Sequence, residues 1–420
     1  MSEHAVAVAA AGLAISVFAW WGLNGWAFND YNAEARPAID ALVNGHVLHF
    51  LQAAPAYGGS LMMRAPFVLV PRLWGGSGLA IAVAAAAPCL LASAVFGVWL
   101  LARMRGLGRA RSARALALFL CVANPITARA LQDGHPEEVL GAVLCVAAVL
   151  VAMSGRSVWS GVLLGLAIAN KEWALLATGP VLLALPDRRP RALLSAVAVA
   201  AAFTAPFVLA GSSGFASAVK SAAVNKSPIF QPWQMWWFFG SHADVAKGLF
   251  CPITIGYRTP PGWIGSLAHP LIVALTLPLT LLCVWLRRHG GRRSANDVLL
   301  LLVLLLLMRC VLDPWDTSYY SLPLLFSLLA WETLTFTRPP LLTLAGSLAA
   351  WFVFRWTQHR ISADMQALTF LAVAIPAMIT VAAALYLPGL SARIARTARR
   401  GGAVAVRHTP RAARAAASLG

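Results

Sequence analysis

Five short stretches hold side chains able to do chemistry, each set against an otherwise apolar chain. In Phe28-Asn29-Asp30-Tyr31, Asp30 follows the first apolar segment. A carboxylate there either caps a helix or, as a general base, takes a proton from an attacking hydroxyl. Tyr31 beside it is a substrate-binding candidate. In Asp133-Gly134-His135-Pro136-Glu137-Glu138, a proline and acids form an ordinary helix start. Yet His135, Glu137 and Glu138 beside hydrocarbon need water or partners, which makes them candidates for binding as well.

Lys171 and Glu172 interrupt the apolar stretch 158–185. One reading is an ion pair that fixes the local fold. The other is a functional site, in which a lysine facing a pocket is a point charge for phosphate. Adjacent helical residues point in different directions, so Glu172 is not an obvious partner for Lys171. The run Arg309 to Tyr320 gathers Arg309, Asp313, Asp316, Tyr319 and Tyr320 at one helix junction. That is either an interfacial aromatic belt or a site lining. The loop Pro232 to Phe239, with Trp236 and Trp237, suits membrane anchoring or a sugar- or lipid-binding cleft. No one motif is specific. Together they describe a site for an amphiphilic, phosphorylated substrate.

The elements that must position these residues are apolar helices. Of the 420 residues, 60% are hydrophobic and 11% charged, with mean hydropathy +0.72. A soluble domain carries about a quarter charged residues. The net charge of +18 does not signal nucleic acid, because arginines cluster in short loops between apolar segments, the pattern of cytoplasmic loops. Of the six cysteines, only Cys251 lies in a long loop, and neither a CxxC nor a metal-ligand spacing occurs. No disulfide, resident cofactor or metal is therefore expected.

Spanning segments are predicted at 5–26, 78–102, 113–130, 137–153, 191–210, 267–286, 297–312, 318–336, 341–356 and 366–387. The segment 5–26 lacks a basic leader and is read as a retained helix. Three arginine clusters share one side if both termini are cytoplasmic: Arg103 to Arg114, Arg287 to Arg293, and Arg393 to Arg414. The stretch 158–185 is flanked by arginine at both ends, which predicts a hairpin of two short helices, 158–169 and 173–185, with Lys171 near its tip. Two long loops, 27–77 and 211–266, then lie outside. The first holds a predicted surface helix with Pro37 near its start and Asn44-Gly45 at its end. The chain divides into a membrane domain, 1–388, and a basic cytoplasmic tail, 389–420.

The order of features is informative: an acid opening a long first loop, the surface helix ending Ala41-Leu42-Val43-Asn44-Gly45, then Asn124-Pro125, Gly134-His135, and Gly161 to Trp173. Over roughly residues 10–330 this resembles the GT-C superfamily of membrane glycosyltransferases. It is most similar to the bacterial polyprenol-phosphate-mannose-dependent mannosyltransferases. The resemblance implies an all-α polytopic bundle of about 10 spanning helices plus the short hairpin. It also implies a polyprenyl-phosphate sugar donor, a glycolipid or glycan acceptor, and inverting transfer on the outer face of the bacterial cytoplasmic membrane. By the resemblance Asp30 takes the place of the family's base and Lys171 that of its phosphate-facing lysine; on the residues alone, Arg309 is a further candidate to neutralise the departing phosphate. Gly134-His135 stands where many relatives carry Gly-Gln, and Asp313 to Tyr320 where many carry a histidine. The main rival is a transporter or flippase of a lipid-linked or anionic solute. Against it, only one half of the chain has a broken hairpin, and the polar residues crowd one face rather than the midplane.

Overall fold

A computed structural model describes residues 5, 8–13, 16, 17, 20, 30–217, 230–242, 258–289, 294–358 and 360–387. Phe28, Asn29, Cys251 and the tail 389–420 lie outside the described residues, and the first apolar stretch is described only in part.

The architecture is all-α. The strands β1 (Ser241–His242) and β2 (Arg258–Thr259) form the one sheet among the described residues. Five helices are long and apolar enough to cross a bilayer by themselves: Gly78–Gly106, Arg111–Asp133, Arg189–Leu209, Gly262–His289 and Ala363–Tyr386. The second of these is interrupted. Asn124 accepts from the Ile126 N–H at 3.0 Å and starts a new helix with Pro125 in its first turn. Its side-chain amide also donates to Ser347 Oγ at 3.0 Å, which ties the break to another helix.

The apolar segments predicted at 318–336 and 341–356 are each divided by a change of helix type. Ser318–Ser321 is a 3₁₀ turn before Leu322–Thr335, and Leu341–Trp351 continues as a π turn, Phe352–Trp356. Glu332, fully buried, accepts from the N–H groups of Leu342 and Thr343, so its carboxyl caps a helix start.

Four helices set the position of the site. We label them α1 (Gly58–Val68), α2 (Glu137–Met153), α3 (Ser157–Asn170) and α4 (Asp297–Leu312). α4 is buried from Val298 to Leu312, so its apolar sequence has no polar face to spare. α3 packs against Arg189–Leu209 through Gly161 and Gly165, four residues apart on one face. A Cβ at either would collide with the carbonyl of Ala192 or Ala196. α3 stops at Lys171, whose backbone is extended (φ −156°, ψ 133°), and a 3₁₀ turn, Glu172–Ala177, leads into Thr178–Ala184. The break falls where the polar Asn170-Lys171-Glu172 predicts it.

The first long loop forms a small core of its own from Tyr31, Ala38, Ile39, Phe50, Tyr57 and Leu61, closed by Phe207. Its helix Arg36–Val43 has Pro37 in the first turn, and the chain leaves through Asn44 and Gly45, the latter at φ +82°. The second long loop lies along the C-terminal end of α4. The Gln231 and Met235 N–H groups donate to Pro314 and Val311 carbonyls, and the Trp236 indole donates to Leu312 O at 2.7 Å.

Candidate active site

The site begins at Gly134. This residue takes φ +88°, which L side chains rarely adopt, and a Cβ there would lie 2.7 Å from Tyr31 N. Glycine therefore lets the first loop press its backbone against the chain just before α2. The contact brings together residues 105 positions apart: His135 Nε2 lies 3.2 Å from Asp30 Oδ2. His135 Nδ1 lies 2.8 Å from Glu137 Oε1. The Asp30 side chain is 46% exposed, whereas His135 and Glu137 are buried.

Glu137 is the hub of the buried charge. Arg64 Nη2 from α1 approaches its Oε2 to 3.5 Å, and Lys171 Nζ approaches its Oε1 to 3.4 Å. Lys171 also lies 3.6 Å from Glu138 Oε1, to which the Trp173 indole N–H donates. The ammonium sits 4.2 Å from the centre of the Tyr57 ring, and the Tyr57 hydroxyl donates to Glu34 Oε2 at 2.8 Å. Lys171 is thus compensated by two buried carboxylates and an aromatic face. Glu137 and Glu138, one helix away, supply the partners that the adjacent Glu172 does not. Glu172 itself is exposed and is not an ion-pair partner of Lys171.

The second part of the site lies at the end of α4. The Arg309 guanidinium stacks 4.0 Å from the Tyr320 ring centre and 5.1 Å from that of Trp173. Its Nε is 3.9 Å from Asp313 Oδ2, and its buried Nη1 has no hydrogen-bond partner among the described residues. Asp313 also meets His269 Nε2 at 3.4 Å and accepts the Trp315 N–H at 3.0 Å. Burial pushes the Asp313 carboxyl up, but the His269 hydrogen bond and the charges of His269 and Arg309 hold it below the usual carboxylate range. Asp316 is fully buried, and neither oxygen makes a well-formed hydrogen bond within the described residues. Burial, reinforced by the Asp313 charge, pushes it well above that range. Tyr319 links the two parts, its ring 4.6 Å from that of His135.

The fold thus unites Asp30, Tyr31, His135, Glu137, Glu138 and Lys171, and sets Arg309, Asp313, Asp316, Tyr319 and Tyr320 next to them. Trp236 and Trp237 stand apart. Both are buried, and the Trp237 indole donates to Asp364 Oδ1 at 2.7 Å, where Arg258 forms a two-pronged pair with the same carboxylate. Both indoles tie the second loop to other parts of the fold. Sequence reasoning missed Arg64 and Tyr57. Arg64 had one readable signal: a lone arginine in the apolar run Leu61-Met62-Met63-Arg64-Ala65.

Five apolar helices of membrane-crossing length, with a buried charged cluster between Asp30 and Asp316, describe a multi-pass membrane protein. The model of Glycosyltransferase family 87 matches residues 59–314, more than half of the chain, and the protein belongs to that family. It is a membrane glycosyltransferase, acting on lipid and glycan substrates. No curated protein and no solved structure matches the chain.

Proposed function

We propose that the protein transfers a sugar, mannose by the resemblance, from a polyprenyl-phosphate donor to a cell-envelope glycolipid or glycan. The transfer takes place at the outer face of the bacterial cytoplasmic membrane, with both termini cytoplasmic and about ten spans plus the hairpin at Lys171. The observation that carries this reading is the contrast in burial. Asp30 alone among the acids of the Glu137 cluster is half-exposed, while Glu137 and Glu138 are sealed inside.

In this mechanism the acceptor hydroxyl gives its proton to Asp30. Its oxygen attacks the anomeric carbon from the face opposite the phosphate, and the bond from that carbon to the phosphate oxygen breaks. The bonding electrons leave with the polyprenyl phosphate, and the configuration inverts. Arg309 is the better placed cation for the departing phosphate, because its Nη1 makes no hydrogen bond among the described residues whereas Lys171 already faces two carboxylates. Lys171 contributes charge from behind. A single base and a leaving group already activated as a phosphate ester call for no resident cofactor, and none is assigned.

Purified protein in lipid nanodiscs with labelled polyprenyl-phosphate mannose and cell-envelope glycolipid extract tests the reading. Appearance of free polyprenyl phosphate and a labelled glycolipid supports it. Uptake of label into sealed vesicles without bond cleavage would favour the transporter instead. Cysteines placed singly at the exposed Ser112 and Ser213 test the orientation: an impermeant reagent should label only the second in intact cells.

A further inference from the structure

We propose that His135 is a positioning residue, an imidazolium clamped between Asp30 and Glu137 that orients the Asp30 carboxylate for the acceptor. The inference rests on the reading of Asp30 as the base. Both ring nitrogens face carboxylate oxygens, at 3.2 Å for Asp30 and 2.8 Å for Glu137. A neutral imidazole has one N–H and can donate to only one of them. The doubly protonated ring donates to both. The ring engages Asp30 through Oδ2, which leaves Oδ1 for the incoming hydroxyl.

Neighbours from every side hold the ring in this orientation. The Tyr319 ring lies 4.6 Å away and the Tyr57 ring meets it edge-on at 6.0 Å. Glu137 is itself fixed by Arg64 and Lys171, so the clamp is anchored on its buried side. The charged groups felt at His135 are Asp30 from the first loop, Glu137 and Glu138 from α2, Lys171 from the end of α3, and Asp133 two residues before His135 itself. Burial alone would lower the basicity of the ring. The Glu137 charge and the hydrogen bonds to Asp30 and Glu137 outweigh burial and raise it to about 10. Burial pushes the Tyr57 hydroxyl well above the usual tyrosine range, so it does not titrate in the same interval.

The test is H135Q, whose neutral amide carries its N–H donors on a single nitrogen and presents an acceptor oxygen where the second ring N–H stood. Wild-type transfer should hold a plateau on the alkaline side and fall as pH rises through about 10. H135Q should lose at least about tenfold in kcat, with the donor KM little changed and the alkaline limb gone, the pattern of a group acting through a general base. A second readout needs no substrate. Stabilisation from a raised histidine is full below 6.5, declines as pH rises, and is gone above about 10. The excess thermal stability of wild type over H135Q in nanodiscs should therefore shrink across that window. Near wild-type kcat, or an alkaline limb that survives the substitution, overturns the proposal. If wild-type protein shows no transfer from polyprenyl-phosphate mannose, the functional reading fails by itself, and a stability difference that does not change with pH then overturns the clamp as well.

Discussion

The charges around Glu137 and those around Asp316 adjoin through the Tyr319 ring, yet their acids are held in opposite ways. Glu137 meets three cations, His135, Lys171 and Arg64, drawn from three separate parts of the chain. Asp316 is equally buried and makes no well-formed hydrogen bond among the described residues, so burial pushes its carboxyl toward the neutral form. A buried acid needs either a partner or a proton, and the two regions show one solution each. The difference teaches where the chemistry belongs. A cluster paired with cations can position a base, whereas a buried acid without such close partners is pushed toward its neutral form.

The sharpest way to break this contrast is Asp30→Asn. It keeps size and hydrogen bonding and removes the base, so transfer should fall by about 10²–10⁴ while expression stays normal. Turnover close to wild type would show Asp30 to be a helix-start acid, and Glu34 would become the next candidate. Lys171→Met should come second. It leaves Glu137 and Glu138 short of a cation, and breaking such a buried pair typically costs about 3–5 kcal/mol. Thermal unfolding in detergent reads that loss. An unchanged midpoint combined with weaker binding of the donor would instead make Lys171 mainly a phosphate ligand.

Gly134→Ala should be milder but still damaging. Forcing a side chain into φ +88° costs about 1–3 kcal/mol, and the Cβ must push the Tyr31 backbone away. Loss of activity greater than the loss of stability would show that the spacing between Asp30 and His135 is what matters. Asp316→Asn should have the smallest effect of the four, about 1 kcal/mol or less at neutral pH, because burial already disfavours the charged form of Asp316 and the amide keeps its shape. The sign of its pH dependence is fixed. A carboxyl raised in the fold stabilises fully below its ordinary value of 3.8 and loses that contribution as pH rises through the raised value. Wild type should therefore lose stability relative to Asp316→Asn on going alkaline. The opposite trend would mean that Asp316 is ionised and paired, and the contrast between the two regions would collapse.

Much of the positioning machinery was legible before any coordinates. The helix break at Lys171 follows from three polar residues inside an apolar stretch, because helical backbone in hydrocarbon tolerates an interruption only where protein or water receives it. The helix from Arg36 to Val43 follows from Pro37 and Gly45, whose backbone preferences are local. The roles of Trp236 and Trp237 were not legible. Their composition fits a cleft and an anchor equally, and nothing in it names the partners they find, Leu312 O and Asp364.

By itself the sequence determined that this protein is a helical membrane protein, where the helix before Lys171 breaks, and which acids and bases must find partners. Those properties depend on hydropathy and on dihedral preferences within a few residues. The tertiary structure alone decided who the partners are. Asp30 meets His135 across 105 positions, and Arg64 and Lys171 converge on Glu137 from helices that are not neighbours in the chain. Such pairings depend on close approach, such as that of Gly134 to Tyr31, which follows from how whole helices pack and leaves no periodic mark in the sequence.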